Sequence, residues 1–136
     1  MTRYVDLADF LLIAEAVTGI DADVLAKSAG MNLADSALAA PAANFGGVEF
    51  YPGFGEKVAV LGWHLCQNHP LTDGNKRAAW VSMVMMARLN GGDLVPDSDD
   101  DAVAMMLDVA SGHAHVGMLA TWVAAHLHEP DERRPG

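Results

Sequence analysis

A potential base, a carboxylate, an amide and two cations fall within nine consecutive residues, His69-Pro70-Leu71-Thr72-Asp73-Gly74-Asn75-Lys76-Arg77. His69 can accept a proton near neutral pH. Gly74 lets the backbone turn tightly and approach a ligand. The N–H groups of Asn75, Lys76 and Arg77 would then point out of a helix start, where free donors and a partial positive charge suit phosphate. Lys76 and Arg77 add full charges, and the guanidinium can fork onto phosphate oxygens. Asp73 beside such a site is a natural magnesium ligand, because Mg²⁺ takes one or two carboxylates together with phosphate oxygens. Together these groups could transfer part of a nucleotide to a hydroxyl. A plainer account also stands on the residues alone: His69-Pro70 opens a loop, Asp73 caps a helix and the cations solvate its end.

The elements around this stretch read as helices. An apolar run from Ala78 to Ala87 follows the motif, so Asn75 to Leu89 is expected to form a helix that is apolar all round and therefore central. Glu56 to Asn68 leads into the motif as another helix, with Val58, Leu61, Trp63 and Leu65 as its apolar face. His64 is read as a packed or surface histidine. Upstream, Asp6 to Val17 has Leu7, Phe10, Leu11, Ala14 and Val17 on one face, Asp6 as cap and Gly19 as stop. Asp21 caps a short helix with Val24 and Leu25 inward and Gly30 as its end. Asn32 to Ala40 is a third helix, closed by Pro41. Between these and the motif, Asn44 to Gly55 mixes turn formers with aromatics and reads as an exposed flap, with a short hairpin or an ordinary connection as the two forms it could take.

Downstream, Ser98 with Asp101 resembles a capping box at the start of a helix whose Val103, Met106, Leu107 and Ala110 face inward. A divalent-metal site in the Asp99-Asp100-Asp101 run is the sharper reading, but capping explains the pattern. Ser111 to His115 is a connection, and a last helix reaches about Leu127 with Leu119, Trp122, Val123 and His126 on it. His113, His115, His126 and His128 have no cysteine or carboxylate spaced with them as in known zinc patterns, so they are read as turn and surface histidines. The methionines, clustered in Met83 to Met86 and Met105-Met106, read as adaptable core.

The whole chain sets the frame. Its 136 residues are 51% apolar and 19% charged, which fits one globular domain, here 1–128, with a polar tail over 129–136 that frays. A net charge of −10 disfavours nucleic acid as a direct partner and makes the cations Lys76, Arg77 and Arg88 stand out. The single Cys66 excludes an internal disulfide, and no run approaches the roughly 20 apolar residues of a membrane span. A soluble, cytoplasmic protein is expected, with no membrane partner. Nucleotide motifs of the Walker and dinucleotide types are absent, and no Ser or Cys nucleophile has a local signature.

The nine residues from His69 to Arg77 resemble the Fic/Doc signature H-P-F-x-x-G-N-[G/K]-R, and Lys76 makes them most similar to the Doc ("death on curing") branch, toxins of toxin–antitoxin modules. Asp35 to Pro41, Phe45-Gly46-Gly47 to Tyr51-Pro52, and Ala87 to Gly91 resemble the family's flanking segments. The resemblance implies an all-α bundle with the motif loop between two central helices. It implies His69 as the base, Asp73 as the Mg²⁺ ligand, and Gly74, Asn75, Lys76 and Arg77 as the cradle for the phosphates of ATP. It implies that the flap of Gly46, Gly47, Val48, Glu49, Phe50, Tyr51 and Pro52 aligns a segment of the target protein by β-augmentation.

Lys76 bears on the chemistry. Adenylyltransferases of the family carry glycine there. A lysine fills part of that space and, in Doc-like members, goes with a reversed nucleotide that presents its γ-phosphate, the family's substrate being a threonine of elongation factor Tu. The resemblance thus implies a protein kinase that stops translation. An adenylyltransferase and a catalytically silent partner-binding module are the alternatives. Leu71 departs from the signature, standing where phenylalanine normally anchors the loop. The family's inhibitory motif [S/T]-x-x-x-E-[G/N] is absent, since Glu15, Glu49, Glu56 and Glu129 are followed by Ala, Phe, Lys and Pro. Inhibition is therefore expected in trans, from an antitoxin whose disordered segment folds as a helix on this domain.

Overall fold

In the computed structural model, which describes residues 1–130, the chain is an all-α bundle of seven helices with two minimal strand pairs. The tail expected over 129–136 falls outside the described residues from 131 onward.

The first helix, α1, runs Leu7–Thr18. Asp6 and Asp9 bond each other's backbone N–H, at 2.8 Å and 3.2 Å, so the helix starts on a reciprocal capping box and ends at Gly19. Asp21 caps α2, Ala22–Ala26, as its sequence suggests. That helix ends earlier than expected, at Ala26, and only Leu25 turns inward; Val24 is exposed. Gly30 opens α3, Met31–Ala39, instead of closing α2. A 3-10 turn through Pro41 follows. The flap is a hairpin: β1, Asn44–Phe45, pairs antiparallel with β2, Val48–Glu49, around a two-residue turn at Gly46 and Gly47 with both φ positive.

Helix α4, Phe54–Asn68, is the centre of the molecule. Residues 57 to 62 are buried without a break, and the helix packs against α3, against α5 (Asn75–Leu89), against α6 (Asp99–Ser111) and against α7 (Val116–His126). The all-round burial expected for α5 belongs more fully to α4. Helix α5 buries Ala78, Ala79, Ser82, Met83, Met86 and Ala87, while Val81 faces out. Phe10, Leu61, Leu65, Met83, Met86, Leu119 and Val123 form the shared core, each contributing about 1.5–3 kcal/mol on burial.

One strand pair has no sequence signal. β3, Asp93–Leu94, pairs antiparallel with β4, Leu127–His128, bringing the end of α7 to the end of α5. At the same corner Asn90 clasps the backbone of Arg3, accepting its N–H and donating to its C=O, both at 2.8 Å. Pro130 lies against Gly91. No helix among the described residues is long and apolar enough to cross a membrane.

Candidate functional site

The turn between α4 and α5 is built to expose one ring and bury one amide. His69 ends α4 in the left-handed region, φ 50 and ψ 56, and is exposed. A non-glycine residue there costs roughly 1–2 kcal/mol, so the surroundings must hold it. They do so through Asn75, only 8% exposed. Its Oδ1 accepts the Leu71 N–H at 2.9 Å, and its Nδ2 donates to the Leu71 C=O at 2.8 Å and to His69 Nδ1 at 2.9 Å. The Leu71 backbone fixes which way the amide points, so Nδ1 is the acceptor of the pair and the neutral ring carries its proton on Nε2. Leu71 itself is buried in the core at 6% exposure, and Pro70 is packed so tightly against Gly30 that no Cβ fits between them.

The start of α5 is open. Asp6, Asp21, Ser98 and His115 cap α1, α2, α6 and α7 with side-chain oxygens or nitrogen, whereas Gly74 gives α5 no side-chain cap. Its φ of 84 and the Val17 methyl 2.8 Å from where a Cβ would sit both require glycine. The first N–H groups of the helix are thus free to meet an anion. Lys76 and Arg77 are exposed, and among the described residues neither enters an ion pair. Arg88 does not join them. It stands at the far end of α5, 3.5 Å from Asp93. Asp73 is exposed, and its Oδ1 accepts the Gly74 N–H at 2.8 Å, which turns the loop and leaves Oδ2 as an available oxygen ligand.

An open cavity of about 320 Å³ begins at Lys76 and Arg77. Trp80 of α5 and Val103, Met106 and Leu107 of α6 form its walls. This corrects the inward reading of α6: Met106 is buried, but Val103 and Leu107 are 56% and 50% exposed because they face this opening. Sequence reasoning did not place Trp80, Val103 and Leu107 beside the motif, where they line this cavity. A second hollow, lined by Val17, Ile20 and Leu25, borders the motif loop at Thr72, Asp73 and Gly74.

The flap is held from beneath. Lys57, 2% exposed, sends its Nζ to Glu49 Oε1 at 2.9 Å and to the Tyr51 C=O at 2.6 Å, with the Pro41 C=O at 3.5 Å. Burial opposes its charge, and the contacts with Glu49 and Tyr4 outweigh that, so the ammonium pKa lies above its ordinary value. Above the strut the hairpin shows Phe45, Val48 and Phe50 to solvent at 81%, 72% and 59%. Glu49 points back to Lys57 through Oε1, with its side chain 45% exposed.

Cys66 is excluded as a nucleophile. Burial pushes its thiol up to about 11, against a smaller opposing effect from Lys76. The capping box expected at α6 is half formed: Ser98 Oγ accepts the Asp101 N–H, while the Asp101 carboxylate accepts the N–H of Asp97 instead of that of Ser98. His115 caps α7 through Nδ1, His113 bonds Ser111, and His126 lies on α7 as expected but is mostly buried, its side chain 12% exposed.

The model of the Fic/DOC family matches residues 4–87, which include the flap, α4, the motif and nearly all of α5. The chain is 35% identical over 125 residues to the Toxin Doc of Mycolicibacterium smegmatis, covering 91% of this chain and 93% of that one. No solved structure matches.

Proposed function

This chain belongs to the Fic/DOC family, and from that premise we propose that it is the toxin of a toxin–antitoxin module, a nucleotide-dependent transferase that passes the γ-phosphate of ATP to a hydroxyl of a target protein. The observation that carries the reading is the uncapped start of α5, with two exposed cations that enter no ion pair among the described residues, beside an exposed histidine whose ring is held by a buried amide.

The phosphates of ATP lie on the N–H groups of Asn75, Lys76 and Arg77 and against the two cationic side chains. The apolar cavity beyond Lys76 receives the base, with Trp80 offering a flat face and Val103, Met106 and Leu107 the walls. Asp73, exposed and with Oδ2 available, would hold Mg²⁺, which supplies charge neutralisation at the phosphate oxygens. The target segment adds to the hairpin, where Phe45, Val48 and Phe50 are unpartnered.

In the resting pair Asn75 occupies His69 Nδ1. The target hydroxyl takes Asn75's place as donor, loses its proton to Nδ1, and its oxygen attacks the γ-phosphorus. The bond from that phosphorus to the β-phosphate oxygen breaks, and ADP leaves. Lys76 supports the kinase reading over adenylyl transfer, because its side chain takes up room at the helix start that the unreversed nucleotide of an adenylyltransferase would need. Leu71 keeps the loop anchored despite lacking a phenyl ring, as its burial and its two bonds to Asn75 support.

The partner that silences the enzyme is an antitoxin segment, disordered when free, that folds as an amphipathic helix. Exposed Leu12, Ile20, Val24 and Leu33 on or beside α1, α2 and α3, next to the hollow at Val17 and Ile20, support that side as its seat. Failure of the chain to form a stable complex with the product of the neighbouring reading frame would remove this part of the proposal.

Intact-mass spectrometry of elongation factor Tu, incubated with ATP, Mg²⁺ and this protein, tests the main claim. The expected result is a gain of one phosphoryl group that is lost with His69→Ala. A gain of AMP would replace the kinase by an adenylyltransferase. An unchanged target and no ATP binding would leave a partner-binding module.

A further inference from the structure

Away from the motif, the three side chains of Asp97, Asp101 and His126 converge in a way that capping alone does not explain. His126 Nδ1 bonds the Trp122 C=O at 2.7 Å, so the proton of the neutral ring is on Nδ1 and Nε2 presents a lone pair. That lone pair meets Asp97 Oδ1 and Asp101 Oδ2, each at 3.4 Å. All three ligand atoms lie within 4.8 Å of one another. Two carboxylates and a lone-pair nitrogen repel unless something positive stands between them.

A proton on Nε2 is one candidate, at contacts longer than a short hydrogen bond. A charge-assisted N–H···O bond is about 2.7–2.9 Å long, and both contacts are well beyond that. The two nitrogen–oxygen distances also suit a shared metal ion, the two oxygens lying within 4.8 Å of each other. In a tetrahedral site with metal–ligand bonds near 2.0–2.1 Å, neighbouring ligand atoms are about 3.3 Å apart. The outer contacts also have the form that a metal site needs. The Trp122 carbonyl sets the histidine tautomer, and Trp122 Nε1 donates to Asp101 Oδ1 at 3.2 Å, orienting that carboxylate. The remaining contact, the Asp97 N–H on Asp101 Oδ2 at 3.2 Å, leaves that oxygen a second lone pair.

We infer that Asp97, Asp101 and His126 form a binding site for a divalent cation of the zinc class, with water as the fourth ligand. One nitrogen and two carboxylate oxygens favour zinc over magnesium, which takes oxygen alone. The ion ties the segment before α6 and the first turn of α6 to the last turn of α7. It thereby braces a wall of the cavity, because Trp122 stacks on His126 with ring centroids 4.3 Å apart and meets Trp80 edge-on at 5.8 Å. The sequence hid the site by separating Asp101 from His126 by 25 residues. The inference rests on none of the transfer chemistry.

Calorimetric titration of the metal-free protein with ZnCl₂, in a buffer without phosphate, tests it. One equivalent should bind at micromolar concentration or tighter. Asp97→Asn changes an exposed side chain and should leave the fold intact, yet weaken binding by at least tenfold. His126→Gln should remove the site, and Trp122→Phe, which deletes only the indole donor, should weaken it about tenfold. Cobalt in place of zinc should give the visible absorption of a tetrahedral ion in the wild type and lose it in Asp97→Asn. No binding at micromolar zinc would overturn the inference in favour of a protonated His126. Equal affinity in the wild type, Asp97→Asn and His126→Gln would overturn it by assigning the zinc to other histidines.

Discussion

Asn75 spends its whole amide on two neighbours, one acceptor bond and two donor bonds, a role separate from the phosphate contact proposed for its backbone N–H. It closes the loop on Leu71 and donates to His69 Nδ1. Two substitutions separate these roles. Asn75→Ala leaves the buried Leu71 N–H and C=O unpaired and should lower stability by about 1–3 kcal/mol, read as a fall in Tm. Asn75→Asp retains the bond to the Leu71 N–H but sets a carboxylate against Nδ1, where it would hold a proton on the ring. Its transfer activity should be lower than that of Asn75→Ala at pH 7, with the pH–rate profile displaced to higher pH. The sequence makes the base, the carboxylate and the cations legible because they are contiguous. It does not show the bond between positions 69 and 75, because that depends on the left-handed turn at His69, which no local preference announces.

The flap and α6 show what an element owes to its neighbours. A two-residue turn of glycines between an aromatic and a valine is enough to suggest a hairpin. Its anchor is not suggested, because a lysine inside the helical face of α4 looks like a surface residue until Glu49, Tyr51 and Pro41 are brought to it. Lys57→Met should cost about 2 kcal/mol, since two carbonyls lose their donor while half-exposed Glu49 returns to water. Amide exchange in residues 44–52 should accelerate while the helical signal is unchanged, and KM for the protein target should rise more than KM for ATP. In α6 the periodicity correctly groups Val103, Met106 and Leu107 on one face. Spacing says which residues share a face and is silent on whether that face finds a partner, and here half of it is left to the cavity.

Across the whole molecule, helix number and order are legible because capping residues and glycines punctuate the chain, whereas the β3–β4 pair is too short to leave a pattern. Partly buried His64 is expected to give the fold a pH dependence. Burial lowers the pKa of His64, which packs edge-on against Trp63. The unfolded chain therefore binds a proton there more readily than the folded one as pH falls through about 6.5, and stability drops over that range. The decline in Tm between pH 7 and pH 5 should be shallower in His64→Gln than in the wild type. The corner at Asn90 has a different consequence. Arg3 is clasped by Asn90, and Pro130 rests on Gly91 next to it, so both lie at the foot of α5. That helix has 15 residues and is about 22 Å long at 1.5 Å per residue, and the motif is at its other end. A few-residue linker from Pro130 to Arg3, with the chain reopened at exposed Gly112, would give a circular permutant whose helices and transfer activity are expected to persist. Circular dichroism and the intact-mass assay would read both. Connectivity, in this molecule, is separable from shape.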